Sequence, residues 1–131
     1  MRRMSLKGRI QMYFFRQTET VPGISAGAAI EGAANGAVTV IDVREHAELA
    51  TSGKARGAHH VPLSRLLDMA DPRHPDHNPA LKADVRIAVY CASGGRSGRA
   101  QMALRQLGYT DVHNIGGFGD WIAAGGDIER I

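Results

Sequence analysis

Two stretches of closely spaced apolar residues dominate the chain. Val38-Thr39-Val40-Ile41-Asp42-Val43 and Val85-Arg86-Ile87-Ala88-Val89-Tyr90 are rich in β-branched side chains and have few polar breaks. Runs of this kind predict strands buried on both faces. Shorter strands are predicted over 58–62 and 111–115, the latter closed by Gly116-Gly117. Between the strands the pattern changes. Ser25 is placed to cap an Ala-rich helix over 26–34, which Asn35-Gly36 would stop. The polar residues 44–48 suit a helical turn. Residues 63–69 read as helical, with apolar positions at 63, 66, 67 and 69–70. A longer helix over 96–107 carries Ala100, Ala103, Leu104 and Leu107 on one face, with Gly108 as its C′ residue. A last short helix over 118–124 surrounds Trp121. Residues 71–79 hold three prolines and two histidines and must form a loop. Strands alternating with helices predict an α/β domain, a parallel sheet covered on both faces. Residues 1–20 carry no period, and Pro22-Gly23 marks a turn. The expected organisation is an N-terminal extension, 1–21, and one domain, 22–131.

Composition changes this picture little. A chain of 131 residues fits one domain, and with 5% aromatic residues its core must come mostly from Ala, Val, Ile and Leu. The net charge is +3, but Lys and Arg are scattered, with no run beyond Arg2-Arg3. A soluble surface with a few site arginines accounts for that better than nucleic-acid binding. The basic start is followed only by Met12-Tyr13-Phe14-Phe15 as a continuous apolar run. That is shorter than a signal-peptide core of roughly 7–15 residues, and far shorter than a membrane span of roughly 20. A cytoplasmic location is expected, with no membrane partner. The single cysteine, Cys91, excludes an intramolecular disulfide and an all-Cys metal site, and fits a reducing compartment.

Cys91 is also where the chemistry concentrates. It ends the second strong strand and is followed by Ala92-Ser93-Gly94-Gly95-Arg96-Ser97-Gly98-Arg99. Sites in open parallel sheets form beyond the carboxyl ends of strands. A short loop with adjacent glycines can turn several N–H groups inward as a nest. The first N–H groups of the next helix have no internal partner and carry the positive end of its dipole. A thiol placed there loses its proton more readily, and a persulfide anion would be held by the same donors. Arg96 and Arg99 add positive charge that could draw in an anionic donor. The plainer reading of a cysteine after a strand is an inert small hydrophobe, but that leaves the glycines unexplained.

At this point the sequence resembles the rhodanese family, over roughly residues 22–131. Asp42-Val43-Arg44 with Glu48 is similar to the family's first fingerprint. Residues 53–62, Gly-Lys-Ala-Arg-Gly-Ala-His-His-Val-Pro, resemble its Gly-x-Ile-Pro-Gly-Ala-x-x-Ile-Pro stretch, and Cys91 to Ser97 its active-site loop. Leu107-Gly108-Tyr109, Val112, Ile115-Gly116-Gly117 and Trp121 resemble its closing segment. Ala55 and Arg56 depart from it, standing where Ile and Pro are usual. The resemblance implies a rhodanese-like three-layer domain, a five-stranded parallel sheet with helices on both faces. It implies two-step transfer of sulfane sulfur through a Cys91 persulfide. The donor would be thiosulfate or another persulfide and the acceptor a thiol, or cyanide in an assay. A sulfur-relay protein is a candidate partner, and no cofactor or metal is implied. Cys91 would be catalytic. Ala92, Ser93, Gly94, Gly95, Arg96, Ser97 and Arg99 would bind substrate.

Other assignments compete. Cys-based phosphatases use Cys-x5-Arg, whereas here Arg96 follows after four residues and Ser97 takes the phosphatase arginine's place. An arsenate reductase would want a second thiol. A non-catalytic rhodanese-like binding module commonly lacks the cysteine. Asp42, Arg44 and Glu48 form either a charged network supporting the active loop or, as the preferred reading, a strand-end salt bridge that orders the following turn. His59 and His60 read as surface or hydrogen-bonded residues. His74 and His77 read as loop polarity, although their spacing could suit a metal. Trp121 reads as packing for the last helix.

Overall fold

The computed structural model describes residues 23–131. The predicted extension 1–21 lies outside them. Helix α1 (Ala26–Ala34) is capped by Ser25, whose Oγ accepts from the Ala28 N–H at 3.1 Å. Strand β1 (Val38–Asp42) follows, then helix α2 (His46–Ser52), where the notional helical turn becomes two full turns. The two-residue strands β2 (Lys54–Ala55) and β3 (His59–His60) lead to a 3-10 turn, Leu63–Arg65, that runs into helix α3 (Leu66–Ala70). Strand β4 (Arg86–Cys91), helix α4 (Gly95–Gln106), strand β5 (Val112–Gly117), helix α5 (Phe118–Ala123) and strand β6 (Ile128–Glu129) complete the order.

The main sheet has the order β3-β1-β4-β5, and all its pairs are parallel. Among the described residues it therefore has four strands where five were expected. The remaining short strands do not join it. Gly53, at φ +78°, turns the chain after α2, and β2 pairs antiparallel with β6 to close the C-terminus.

Side chains alternate across the sheet with the period of two that strands impose. Ile41, Ile87, Val89 and Cys91 face one core, filled by Leu66, Ala100 and Leu104 from α3 and α4. Val40, Ala88 and Tyr90 face the other, with Ala29, Phe118 and Trp121 from α1 and α5. Both layers bury apolar surface, which makes the three-layer α/β arrangement stable. Trp121 packs as expected, stacked on Tyr90 at 6.5 Å between centroids. Leu107, placed on the apolar face of α4, is in fact exposed, because it caps the end of the helix, where the packed face runs out; Leu67 of α3 is exposed as well.

Candidate active site around Cys91

Cys91 ends β4 at the centre of the sheet, where the strand stops and the chain must turn into α4. Gly94 makes the turn at φ +103°, a left-handed conformation that L side chains resist, and serves as N-cap of α4. Its N–H then points back at Cys91 Sγ, 3.0 Å away. The Ser97 hydroxyl, one turn into the helix, lies 3.4 Å from the same sulfur. The backbone N–H groups of Ser93 and Ser97 also favour the thiolate. Burial pushes the thiol up, yet these donors outweigh it and bring Cys91 down to about 7. The sulfur lines the aliphatic core and the residue is 1% exposed, but the amides converge on it instead of turning outward. That separates it from an inert packing cysteine.

Strand β5 holds the loop from the other side. Val89 pairs with Asn114 but Cys91 with Gly117, so β5 carries one extra residue beside the cysteine. Such a bulge re-aims the side chains around it. Asn114 Nδ2 donates to the Gly94 carbonyl at 3.0 Å, and its Oδ1 accepts from Ser97 Oγ at 2.8 Å. One side chain thus ties both ends of the loop. Gly117 lies so close that a Cβ there would run into the Ala92 carbonyl. Neither residue was identified from the sequence as part of the site. The double glycine was visible, but only as the end of a strand.

The charged residues divide differently from the sequence expectation. Arg96 does not lie free beside the sulfur. Its guanidinium is held bidentately by Glu48, at 2.7 and 2.8 Å. That contact lowers Glu48 to about 2 and raises Arg96. Asp42 and Arg44 form a separate buried pair at 2.8 Å, in keeping with the strand-end salt bridge. Arg44 also donates to Ser52 and to the Gly53 carbonyl, and Tyr90 donates to Asp42 at 2.5 Å. This pair hydrogen-bonds to α2 through Ser52, whose Oγ donates to the Glu48 carbonyl, and the Arg44 charge also favours the Glu48 carboxylate, without a direct ion pair between them. Glu48 therefore belongs to the loop, while Asp42 and Arg44 order the strand end. Ala92, Ser93 and Gly95 are exposed along the loop, and Arg99 is exposed on the next turn of α4.

The histidines serve local structure. His60 Nε2 lies 2.6 Å from the Arg44 carbonyl, and His59 is exposed. His74 Nδ1 accepts from the Asp76 N–H, and His77 meets the Leu81 carbonyl. Among the described residues no helix is long and apolar enough to cross a membrane.

A family model described as the rhodanese-like domain matches residues 25–124. The uncharacterized protein YqhL of Bacillus subtilis (strain 168) is 36% identical over 91 residues, 69% of this chain and 63% of that protein. Thiosulfate sulfurtransferase PspE of Escherichia coli (strain K12) is 37% identical over 65 residues, 50% of this chain and 57% of that protein. The chain thus spans about three-fifths of the length of these curated relatives. A solved structure from Rhodopseudomonas palustris, RPA3614, described as a possible tyrosine phosphatase, superposes with a TM-score of 0.73 at 33% identity, covering 83% of this chain and 85% of that one.

Proposed function

Since the chain belongs to the rhodanese-like domain family, we propose that it is a sulfurtransferase that carries sulfane sulfur on Cys91. In the first half-reaction the Cys91 thiolate attacks the terminal sulfur of thiosulfate or of a persulfide. A new S–S bond forms at Cys91. The donor's own S–S bond breaks, and its electron pair leaves on sulfite or on the donor thiolate. In the second half-reaction an acceptor thiolate attacks the outer sulfur of the Cys91 persulfide and returns the Cys91 thiolate. With cyanide as acceptor the product is thiocyanate. Cys91 is the nucleophile, and the amides of Ser93, Gly94 and Ser97 with the Ser97 hydroxyl hold the negative charge. As written, the reaction uses no metal or organic cofactor. A reducing compartment, the cytoplasm, suits the single thiol, and a sulfur-relay protein could stand as donor or acceptor.

The observation that carries this reading is the Gly94 N–H aimed at Cys91 Sγ from 3.0 Å, on a loop whose other donors converge on the same atom. The phosphatase reading, raised by the description of the Rhodopseudomonas protein, is weaker here. The loop leaves only four residues between the cysteine and Arg96 and engages Arg96 with Glu48. With Cys91 1% exposed, the loop suits a donor that presents one terminal sulfur atom better than a tetrahedral phosphate. Intact-mass measurement after exposure to thiosulfate tests the proposal. The expected result is a gain of one sulfur atom, lost on treatment with cyanide and absent in Cys91→Ser. Failure to load from either thiosulfate or a persulfide would leave a non-catalytic binding module as the better account.

A further inference from the structure

Within the loop 92–97, Arg96 is the one charged side chain. Its position would ordinarily make it the receptor for an anionic donor. Both outer nitrogens, however, are engaged by the two oxygens of Glu48, at 2.7 and 2.8 Å. The side chains are only 30% and 35% exposed, so water and salt screen the pair incompletely. Arg96 also lies within the field of Glu45, a second carboxylate on the same side, as well as that of Cys91. Two negative groups thus face one guanidinium at the approach to the sulfur. Arg99 is exposed on the next turn of α4, where solvent screens its charge.

The consequence differs between donors. Thiosulfate arrives with two negative charges and finds the loop's cation already neutralised. An organic persulfide carries at most one charge on its sulfur and needs no cation to reach Cys91. Resting on the sulfurtransferase reading above, we propose that Glu48 is a specificity-determining residue: by occupying Arg96 it favours organic persulfides over thiosulfate as the sulfur donor. In the favoured step the Cys91 thiolate bonds to the outer sulfur of R–S–SH. The donor's S–S bond breaks, its electron pair leaves on R–S⁻, and the proton stays on the transferred sulfur.

Glu48→Gln tests this with little disturbance, because the amide oxygen can still accept the Glu45 N–H that Glu48 Oε1 accepts at 2.9 Å. The measurement is the single-turnover rate of Cys91 sulfur loading, followed by intact mass. Thiosulfate is compared with a small uncharged alkyl persulfide. Glu48→Gln should raise the thiosulfate-to-persulfide ratio of second-order rate constants about tenfold, the size expected for one charge acting on a dianion near a protein surface. The gain should lie in apparent thiosulfate affinity and shrink at about 0.5 M salt. Arg96→Gln, which leaves Glu48 unpaired, should lower the same ratio below wild type. A ratio unmoved by Glu48→Gln, a gain indifferent to salt, or a parallel loss with both donors would overturn the assignment. If neither donor loads wild-type Cys91, the sulfurtransferase reading itself fails. If both load it and the ratio does not move, only the donor preference fails.

Discussion

At the scale of single residues, the proposed chemistry rests on Cys91 and Ser97. With its thiol brought down to about 7, Cys91 should react with iodoacetamide at a rate that rises with pH through a midpoint near that value. Ser97→Ala removes the hydroxyl donor at 3.4 Å and should move the midpoint up by about one unit, within the range hydrogen-bond donors impose. The same titration checks both, and an unmoved Ser97→Ala midpoint would contradict the role given to the hydroxyl. Because the folded thiol sits at about 7, below its ordinary value of 9.0, the thiolate contributes stability above pH 9 that is lost as pH falls through 7. The melting temperature of wild type relative to Cys91→Ser should therefore rise between pH 7 and pH 9. The Glu48 pair acts lower on the scale. Its contribution is present above the ordinary value of 4.5 and is lost as pH falls toward 2.

At the scale of elements, the β5 bulge shapes the site as much as the cysteine loop does. It lets Asn114 reach both Gly94 and Ser97, and it seats Gly117 against the loop backbone at Ala92. Gly117→Ala should cost about 1–3 kcal/mol, the usual penalty for forcing atoms into a packed place. Urea denaturation measures that cost. The same substitution should slow Cys91 alkylation at pH 7 by displacing the Ser93 and Gly94 amides. The loop itself was legible in the sequence, since a strand, a cysteine and two glycines in succession leave few alternatives. The bulge was not. An extra residue in β5 has meaning only against its partner, and no count along 112–117 reveals it. Leu107 was misplaced for a related reason. Helical period says which residues share a face, but where α4 ends decides what that face meets.

At the scale of the whole molecule, the buried group of Asp42, Arg44 and Tyr90 joins the sheet to α2 and β2. Tyr90 donates to Asp42 and its hydroxyl accepts from the Ala55 N–H at 2.9 Å. Tyr90→Phe should cost about 1–3 kcal/mol, since both buried partners lose a hydrogen bond. Arg44→Ala should cost more, about 3–5 kcal/mol, because it strands the fully buried Asp42 carboxylate. Combining it with Asp42→Ala should cost less than the two single changes added, a coupling that a double-mutant cycle in urea reads directly. By itself the sequence determined the element types, the α/β class and the placement of Cys91 at a strand end, because periodicity, capping and glycine turns act over a few neighbouring residues. Only the tertiary structure decided that Glu48 takes Arg96, that Asn114 ties the loop, and that Asp42 and Arg44 stand apart from it. Those contacts join residues distant along the chain, and the packing of separate strands and helices selects them.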